Sequence, residues 1–423
     1  MKKNTSKNIR ACMKNLFCHL MGKLLQVALA MTLCLVLTAP VWMFMKIRAS
    51  LNGKPVYQKQ SIYGRWGRKL DVKLFNSSSW LFQQAALFPL VLEGILALVG
   101  VSIRNYDRLE KTDNDIILRE KPGIFSLHFI RSSVRIVHSS RDEIDLEYIQ
   151  NKNCKSDLAI LVKSIPAMLY YQHPDTVYTE LEVFGIKMLN MTMPEAIDII
   201  DGRISQRIKS QIWFVNADCL NKTFQDEEYR SILRNGEIIF PDGLGVNLAG
   251  KMLGTPLRGN VNGTDMFPFL CELCRQNSYS MYLLGAGVGV AEAMKVAVLA
   301  KYPGLKINGV HDGFFNWEKE GTQVIDEINN CKPDMLLVAF GAPLQEKFIS
   351  RYGNQIDASV MMGVGGLFDF YSGRIPRAPQ WMRDIGMEWT FRLLQEPQRM
   401  WKRYILGNSL FLFRVFSSKL RKN

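Results

Sequence analysis

From residue 181 onward, short apolar runs recur between helical stretches, and this alternation constrains the fold more than any other feature of the chain. The runs lie at 212–215, 237–240, 281–284, 305–307, 335–340 and 358–363, after a fresh strand pattern over 181–189. Strands alternating with helices predict parallel pairing, because each return to the same sheet edge needs a crossover. Met193-Pro194 opens one crossover, with proline in the first helical turn and apolar residues repeating at helical spacing behind it. The fold class predicted is α/β: a Rossmann-like, mostly parallel sheet with helices on both faces. Ligands of such sheets bind at the carboxyl ends of the strands.

Candidate chemistry gathers at those ends. Asp242 follows Phe240-Pro241 in a turn containing Gly243 and Gly245, where a carboxylate can enter a cleft and backbone can pass close to a ligand. A base there could take the proton of a hydroxyl; the alternative is an aspartate that only caps the turn. Asn262-Gly263-Thr264-Asp265 sets a second carboxylate beside a threonine, ahead of the next strand. Gly285-Ala286-Gly287-Val288-Gly289 resembles a phosphate-cradling turn at a helix start, where backbone N–H groups face a diphosphate. It is not a dinucleotide fingerprint, since the next acid, Glu292, falls within the helix; this weighs against an oxidoreductase. Gln345 and Glu346 put an amide and a carboxylate at another strand end, suited to sugar or uracil hydrogen bonding, with a solvated acid the alternative for Glu346. The one close cysteine pair, Cys271 and Cys274, has no second pair at zinc spacing and reads as small apolar residues of a helix. No metal site and no cofactor are expected.

The ends of the chain carry a different message. The net charge of +14 is concentrated there: residues 1–50 hold eight Lys/Arg and no acid, and residues 374–423 hold eleven against three acids. Two basic ends suit an anionic surface such as phospholipid or a lipid diphosphate. Nucleic acid is disfavoured, since no zinc finger, RNP-like strand or basic recognition helix is present. Residues 24–45 form an uncharged stretch long enough to span a bilayer, although Pro40 should kink it, so a re-entrant helix is the alternative. Five basic residues, Lys2 to Lys14, favour a cytoplasmic N-terminus. Apolar helical surfaces such as 291–300 fit either core or a subunit interface.

Residues 180–405 closely resemble the WecG/TagA/CpsF-type glycosyltransferases. The resemblance rests on Arg258 with Asn262-Gly263-Thr264-Asp265, on Gly341-Ala342-Pro343-Leu344-Gln345-Glu346, and on Gly363 to Phe370, followed by Gly373, Arg377-Ala378-Pro379, Glu388-Trp389, Arg392, Glu396-Pro397 and Arg399. It implies that Asp242 is the catalytic base. It also implies a donor site formed by Asn216, Gly243, Arg258, Asn262, Gly263, Thr264, Asp265, Gly285, Gly287, Gln345 and Glu346. Where that family has Thr-Pro-Asn, this chain reads Val215-Asn216-Ala217. The C-terminal part is implied to be an appendage that closes the active site at a membrane, with Arg374, Arg377, Arg392 and Arg399 offered to the acceptor diphosphate. Arg374 and Arg377 also follow a glycine turn after Asp369, so one of them can instead pair with a carboxylate and hold the loop.

Residues 24–172 resemble a worn bacterial sugar transferase, of the kind that loads a sugar phosphate onto undecaprenyl phosphate. The pieces are the kinked helix, Asn52 to Gln60 with Gly64-Arg65-Trp66-Gly67, Lys121-Pro122-Gly123, and Asp157 to Ile165. The catalytic Asp-Glu pair of that family is replaced by Gln83-Gln84, so the region is expected to anchor and scaffold.

The expected organisation is a basic segment (1–23), a membrane helix (24–46), the worn transferase region (47–175), the glycosyltransferase domain (176–373) and the appendage (374–423). The expected reaction moves a sugar, with inversion, from a UDP donor to an undecaprenyl-diphosphate-linked saccharide in surface polysaccharide synthesis. The donor sugar is N-acetylmannosamine, its uronic acid or a related hexose. Expected partners are inner-membrane lipids on the cytoplasmic face, with a homo-oligomer or other polysaccharide-assembly enzymes open.

Overall fold

The computed structural model describes residues 26–53, 55–77, 79–107, 110–134, 140–171 and 178–422. The basic segment 1–23 and the linker at Gln172–Thr176 lie outside the described residues. The chain divides into two units, Met1–Val134 with His138–Asp175, and Arg135–Val137 with Thr176–Asn423.

In the first unit, Gln26–Asn52 is one continuous helix whose length and composition would allow it to cross a membrane. Its proline is accommodated without a break. A π-turn over Cys34–Thr38 directly precedes Pro40 in the helix, a local change of winding at the residue that cannot donate an N–H. Gly53, at φ +65°, ends the helix in the left-handed region. Ala30, Val41 and Met45 are buried, while Leu35, Val36, Met43, Ile47 and Leu51 are exposed. Strands β1 (Tyr57–Tyr63) and β2 (Lys69–Phe75) pair antiparallel; β3 (Ala97–Val99) and β4 (Gly123–Phe125) pair parallel. Buried Asp145 accepts from the Ser102 N–H and hydroxyl and from Arg104 Nη2 at 2.6 Å, so its charge is fully compensated. Gln83, at the position of the missing carboxylate pair, is buried.

The second unit begins with β5 (Glu180–Val183) and β6 (Ile186–Leu189). The pattern over 181–189 is thus a hairpin rather than a single strand. Phe184 and Gly185 both take positive φ, which reverses the chain in two residues. Next come β7 (Ser210–Val215), β8 (Ile238–Pro241), β9 (Ser280–Gly285), β10 (Lys306–His311), β11 (Met335–Ala339) and β12 (Val360–Gly363). They form one six-stranded sheet in the order β10-β9-β11-β12-β7-β8, with every pairing parallel.

Burial on both faces follows from the alternation within each strand. Trp213, Val215, Tyr282, Leu284, Leu336 and Val338 enter one core layer; Ile212, Phe214, Met281, Leu283, Met335 and Leu337 enter the other. The C-terminal residues wrap back as a helical appendage. Its last helix, Asn408–Lys422, buries Phe411 and Val415 in the first layer and exposes Leu410, Phe413, Phe416 and Leu420.

Candidate active site

Strand order reverses between β9 and β11: the chain runs outward from β9 to β10, then returns to β11 on the other side. A cleft of about 1290 Å³ opens there, at the carboxyl ends of β9, β10 and β11. One wall is the glycine turn. Gly285 takes φ +127° and lies so close to Ala339 that a Cβ would sit 2.8 Å from its backbone, so only glycine fits. Gly289, at φ +79°, starts the Val290–Lys301 helix, whose N-terminal amides face the cleft region. The opposite wall carries Phe315, Trp317 and Phe340. Arg374 also lines the cleft; its Nη1 would be 3.2 Å from a Cβ on Gly287, and it pairs with Asp369 at 3.3 Å.

A second cluster occupies the carboxyl ends of β7 and β8. Asp242 stands at the N-cap position of the Gly243–Leu253 helix, yet among the described residues its side chain makes no capping hydrogen bond. Asn260 Oδ1 accepts from the first helical amide, Gly243 N–H, at 3.0 Å. The Asp242 side chain is thus not a helix cap in this structure. Among the described residues the Asp242 carboxylate receives only a long bond, 3.4 Å, from Asn216 Nδ2. Burial pushes its pKa up; Asn216 and Arg403 oppose this, and the negative charges of Asp265 and Glu388 add to it.

The surrounding residues hold this carboxylate in place. Asn216 caps the Ala217–Lys222 helix, accepting from the N–H groups of Asp218 and Cys219. Asn262 caps the Gly263–Asn277 helix through the Asp265 N–H at 2.8 Å and donates to the Asp265 carboxylate at 2.7 Å. Arg377 bridges Asp265 and Glu388, the latter at 3.1 Å through Nε. Arg403 reaches Asp218 at 3.3 Å. Residues of the appendage therefore close around the end of β8.

Comparison with known proteins gives this arrangement its place. The family model of the glycosyl transferase WecG/TagA/CpsF family matches residues 181–423. The chain belongs to this family. It is similar to the N-acetylglucosaminyldiphosphoundecaprenol N-acetyl-beta-D-mannosaminyltransferase of Bacillus subtilis, 33% identical over 53% of this chain and 86% of the relative. The Bacillus spizizenii protein of the same name is 35% identical over 44% of this chain and 70% of its own length. The Staphylococcus aureus protein so named is 28% identical over 57% and 93%. The protein is accordingly a glycosyltransferase, as the motifs after residue 180 imply; the family model's match lies within the α/β unit.

In this WecG/TagA/CpsF glycosyltransferase, several residues expected at ligands are otherwise engaged. Arg258 is tied to Glu195 at 2.6 Å and, through its N–H, to Asn190 at 2.7 Å. Gln345 and Glu346 are 3% and 0% exposed, so Glu346 is not a solvated acid. Arg377 is not a free surface cation, and Arg374 is also paired, so both arginines hold the loop. Thr264 contributes its carbonyl to the Tyr371 hydroxyl at 3.1 Å, and Gly263 lies against the Phe214 ring. Arg392 sits over the Phe370 ring at 4.5 Å, while the side chain of Arg399 lies outside those described. Cys271 and Cys274 are fully buried, and burial pushes the Cys274 thiol up to about 12. Among the described residues no group of three or more His, Cys, Asp or Glu could hold a metal ion. Asn260 and Arg403 were not singled out as site residues from sequence. Asn260 had a signal, its place at the head of the stretch running to Asp265; Arg403 belongs with the C-terminal arginines and tryptophans that suit a headgroup layer and a diphosphate, and here it meets Asp218 instead.

Proposed function

We propose that the enzyme moves a sugar from a UDP donor to a hydroxyl of an undecaprenyl-diphosphate-linked saccharide, with inversion at the anomeric carbon. The observation that carries this reading is the Asp242 carboxylate, which makes no capping hydrogen bond and, among the described residues, receives a single long one from Asn216. Asp242 takes the proton of the acceptor hydroxyl while the hydroxyl oxygen attacks the anomeric carbon. The bond from that carbon to the UDP oxygen breaks on the opposite face, and UDP carries away the electron pair. Glycine-turn amides and Arg374 supply positive potential where charge develops on the diphosphate. The cleft and Asp242 are compatible with one extended donor: β11 and β8 are three strand spacings apart, about 14 Å. The nucleotide then occupies the cleft, and the sugar points toward β8.

The relatives' names describe an N-acetylmannosaminyl group passing to N-acetylglucosaminyldiphosphoundecaprenol, which supports a donor of that kind here. With this acceptor and a panel of UDP-sugars, purified protein should release UDP only with the matching donor, and EDTA should leave the rate unchanged. Undecaprenyl phosphate alone should yield no UMP, because Gln83-Gln84 cannot replace a carboxylate nucleophile. UMP release with that lipid would assign phosphotransfer to the first unit; no transfer with any UDP-sugar would sink the donor assignment.

The reaction takes place at the cytoplasmic face of the inner membrane in this reading, supported by the apolar helix Gln26–Asn52 and the exposed apolar residues of Asn408–Lys422. Deleting residues 1–50 should lower vesicle binding without abolishing it, and the remainder should weaken as salt rises. Quantitative retention of the truncated protein on vesicles in high salt would contradict this division of labour.

A further inference from the structure

Gln345 and Glu346 are buried at the junction of two turns that shape the cleft, and their hydrogen bonds are directional. Gln345 Oε1 accepts from two backbone amides, Gly341 N–H at 3.2 Å and Gly365 N–H at 2.9 Å. Its Nε2 donates to Glu346 Oε1 at 2.9 Å. Rotating the amide by half a turn would point an N–H at two N–H donors and an oxygen at the ionised carboxylate, so the two backbone amides and Glu346 together fix which way Gln345 faces. Gly363 leaves the space this requires, since a Cβ there would lie 2.7 Å from Nε2 and 2.9 Å from Cδ.

Both tethered turns lead to the cleft. Gly341, at φ +78°, follows Phe340 and precedes Leu344, two lining residues. Gly365, at φ +56°, leads into the Leu367–Tyr371 helix, whose Asp369 holds Arg374 beside the glycine turn. The first turn is tied on its other side by Lys222, which donates to the Ala342 carbonyl at 2.8 Å and pairs with Asp218 at 3.0 Å. Asp218 in turn meets Arg403, so the same turn connects the cleft with the cluster around Asp242.

We propose that Gln345 and Glu346 are a positioning pair: Glu346 orients the Gln345 amide, and that amide locks the β11 and β12 turns at the spacing the donor diphosphate needs. Neither side chain touches substrate. Burial, which pushes the Glu346 carboxyl up to about 7 and leaves its Oε2 without a hydrogen-bond partner among the described residues, makes the Gln345 bond its main anchor. The proposal rests on the reading of the cleft as the nucleotide site.

A donor–acceptor swap tests it. Gln345→Glu removes the side-chain donor to Glu346 and sets two carboxyl groups together, so UDP affinity measured by calorimetry should fall by roughly tenfold or more. The double variant Q345E/E346Q restores one donor and one acceptor in reversed order and should recover most of that loss. In steady-state assays Q345E should raise KM for the UDP-sugar and leave KM for the lipid acceptor unchanged, a selectivity that general loosening would not produce. If Q345E does not accumulate as folded protein, the swap is judged against the unaltered chain and should bind UDP comparably. Wild-type affinity in Q345E, or a swap that binds UDP no better than Q345E, overturns the positioning pair alone. Absence of UDP binding by the unaltered chain overturns the reading of the cleft and the pair with it.

Discussion

Replacing Arg377 with alanine is expected to cost the fold about 2 kcal/mol and to slow turnover by at least an order of magnitude. Its guanidinium lies between Asp265 and Glu388, and the three side chains are 24%, 13% and 31% exposed. Removing the cation strands two carboxylates that solvent reaches only in part. A fully buried pair would cost more, and partial exposure screens the loss. The functional loss has the same origin: Asp265 and Glu388 both act on Asp242, and Arg377 neutralises them. Lysine should rescue poorly, because one ammonium cannot span both partners as a planar fork does. Urea unfolding of R377A, D265N and the double variant checks this. The double should be less destabilised than the two singles combined, since D265N removes one stranded charge. An R377A protein as stable as the unaltered chain would remove the bridge from the account.

Changing Asp242 to asparagine should lower the chemical rate by roughly 10² to 10⁴ with little effect on UDP affinity. Asparagine preserves size and hydrogen bonding but cannot take up the proton. The pH dependence should carry the same signature. Burial raises the Asp242 pKa, with Asn216 and Arg403 pulling it down and Asp265 and Glu388 pushing it up. A base acts when ionised, so kcat/KM should be full above that raised value and fall as pH drops through it. The acid limb should be absent from the residual activity of D242N. An unchanged limb in D242N would assign the titration to another group.

How far these features could be read from sequence depends on the range of the interaction that creates them. The sheet was legible because each strand is its own short apolar run, as in Met281 to Leu284, whose successive side chains enter opposite core layers. The glycine turn after β9 was legible for the same local reason. The β5/β6 hairpin was not, because Phe184 is a bulky residue at positive φ where a strand residue would be expected. Local sequence allowed Asp242 to cap its own helix, and the structure shows no such bond. The Arg377–Asp265 contact joins residues 112 apart, beyond any local pattern. Gln345 and Glu346 looked like ligand groups because polar residues at strand ends commonly are; their burial follows from the packing of the turns after β11 and β12 above them.

The central claim is that Asp242 is the base of a sugar transfer whose donor is held elsewhere in the same site. Single-turnover transfer with saturating UDP-sugar and lipid-linked acceptor, measured for the unaltered protein and D242N beside their UDP affinities, tests it most directly. The account predicts matched affinities and a rate lower by roughly 10² to 10⁴ in D242N. Near-normal single-turnover transfer by D242N would contradict it and shift the role to Asp265 or Asp218.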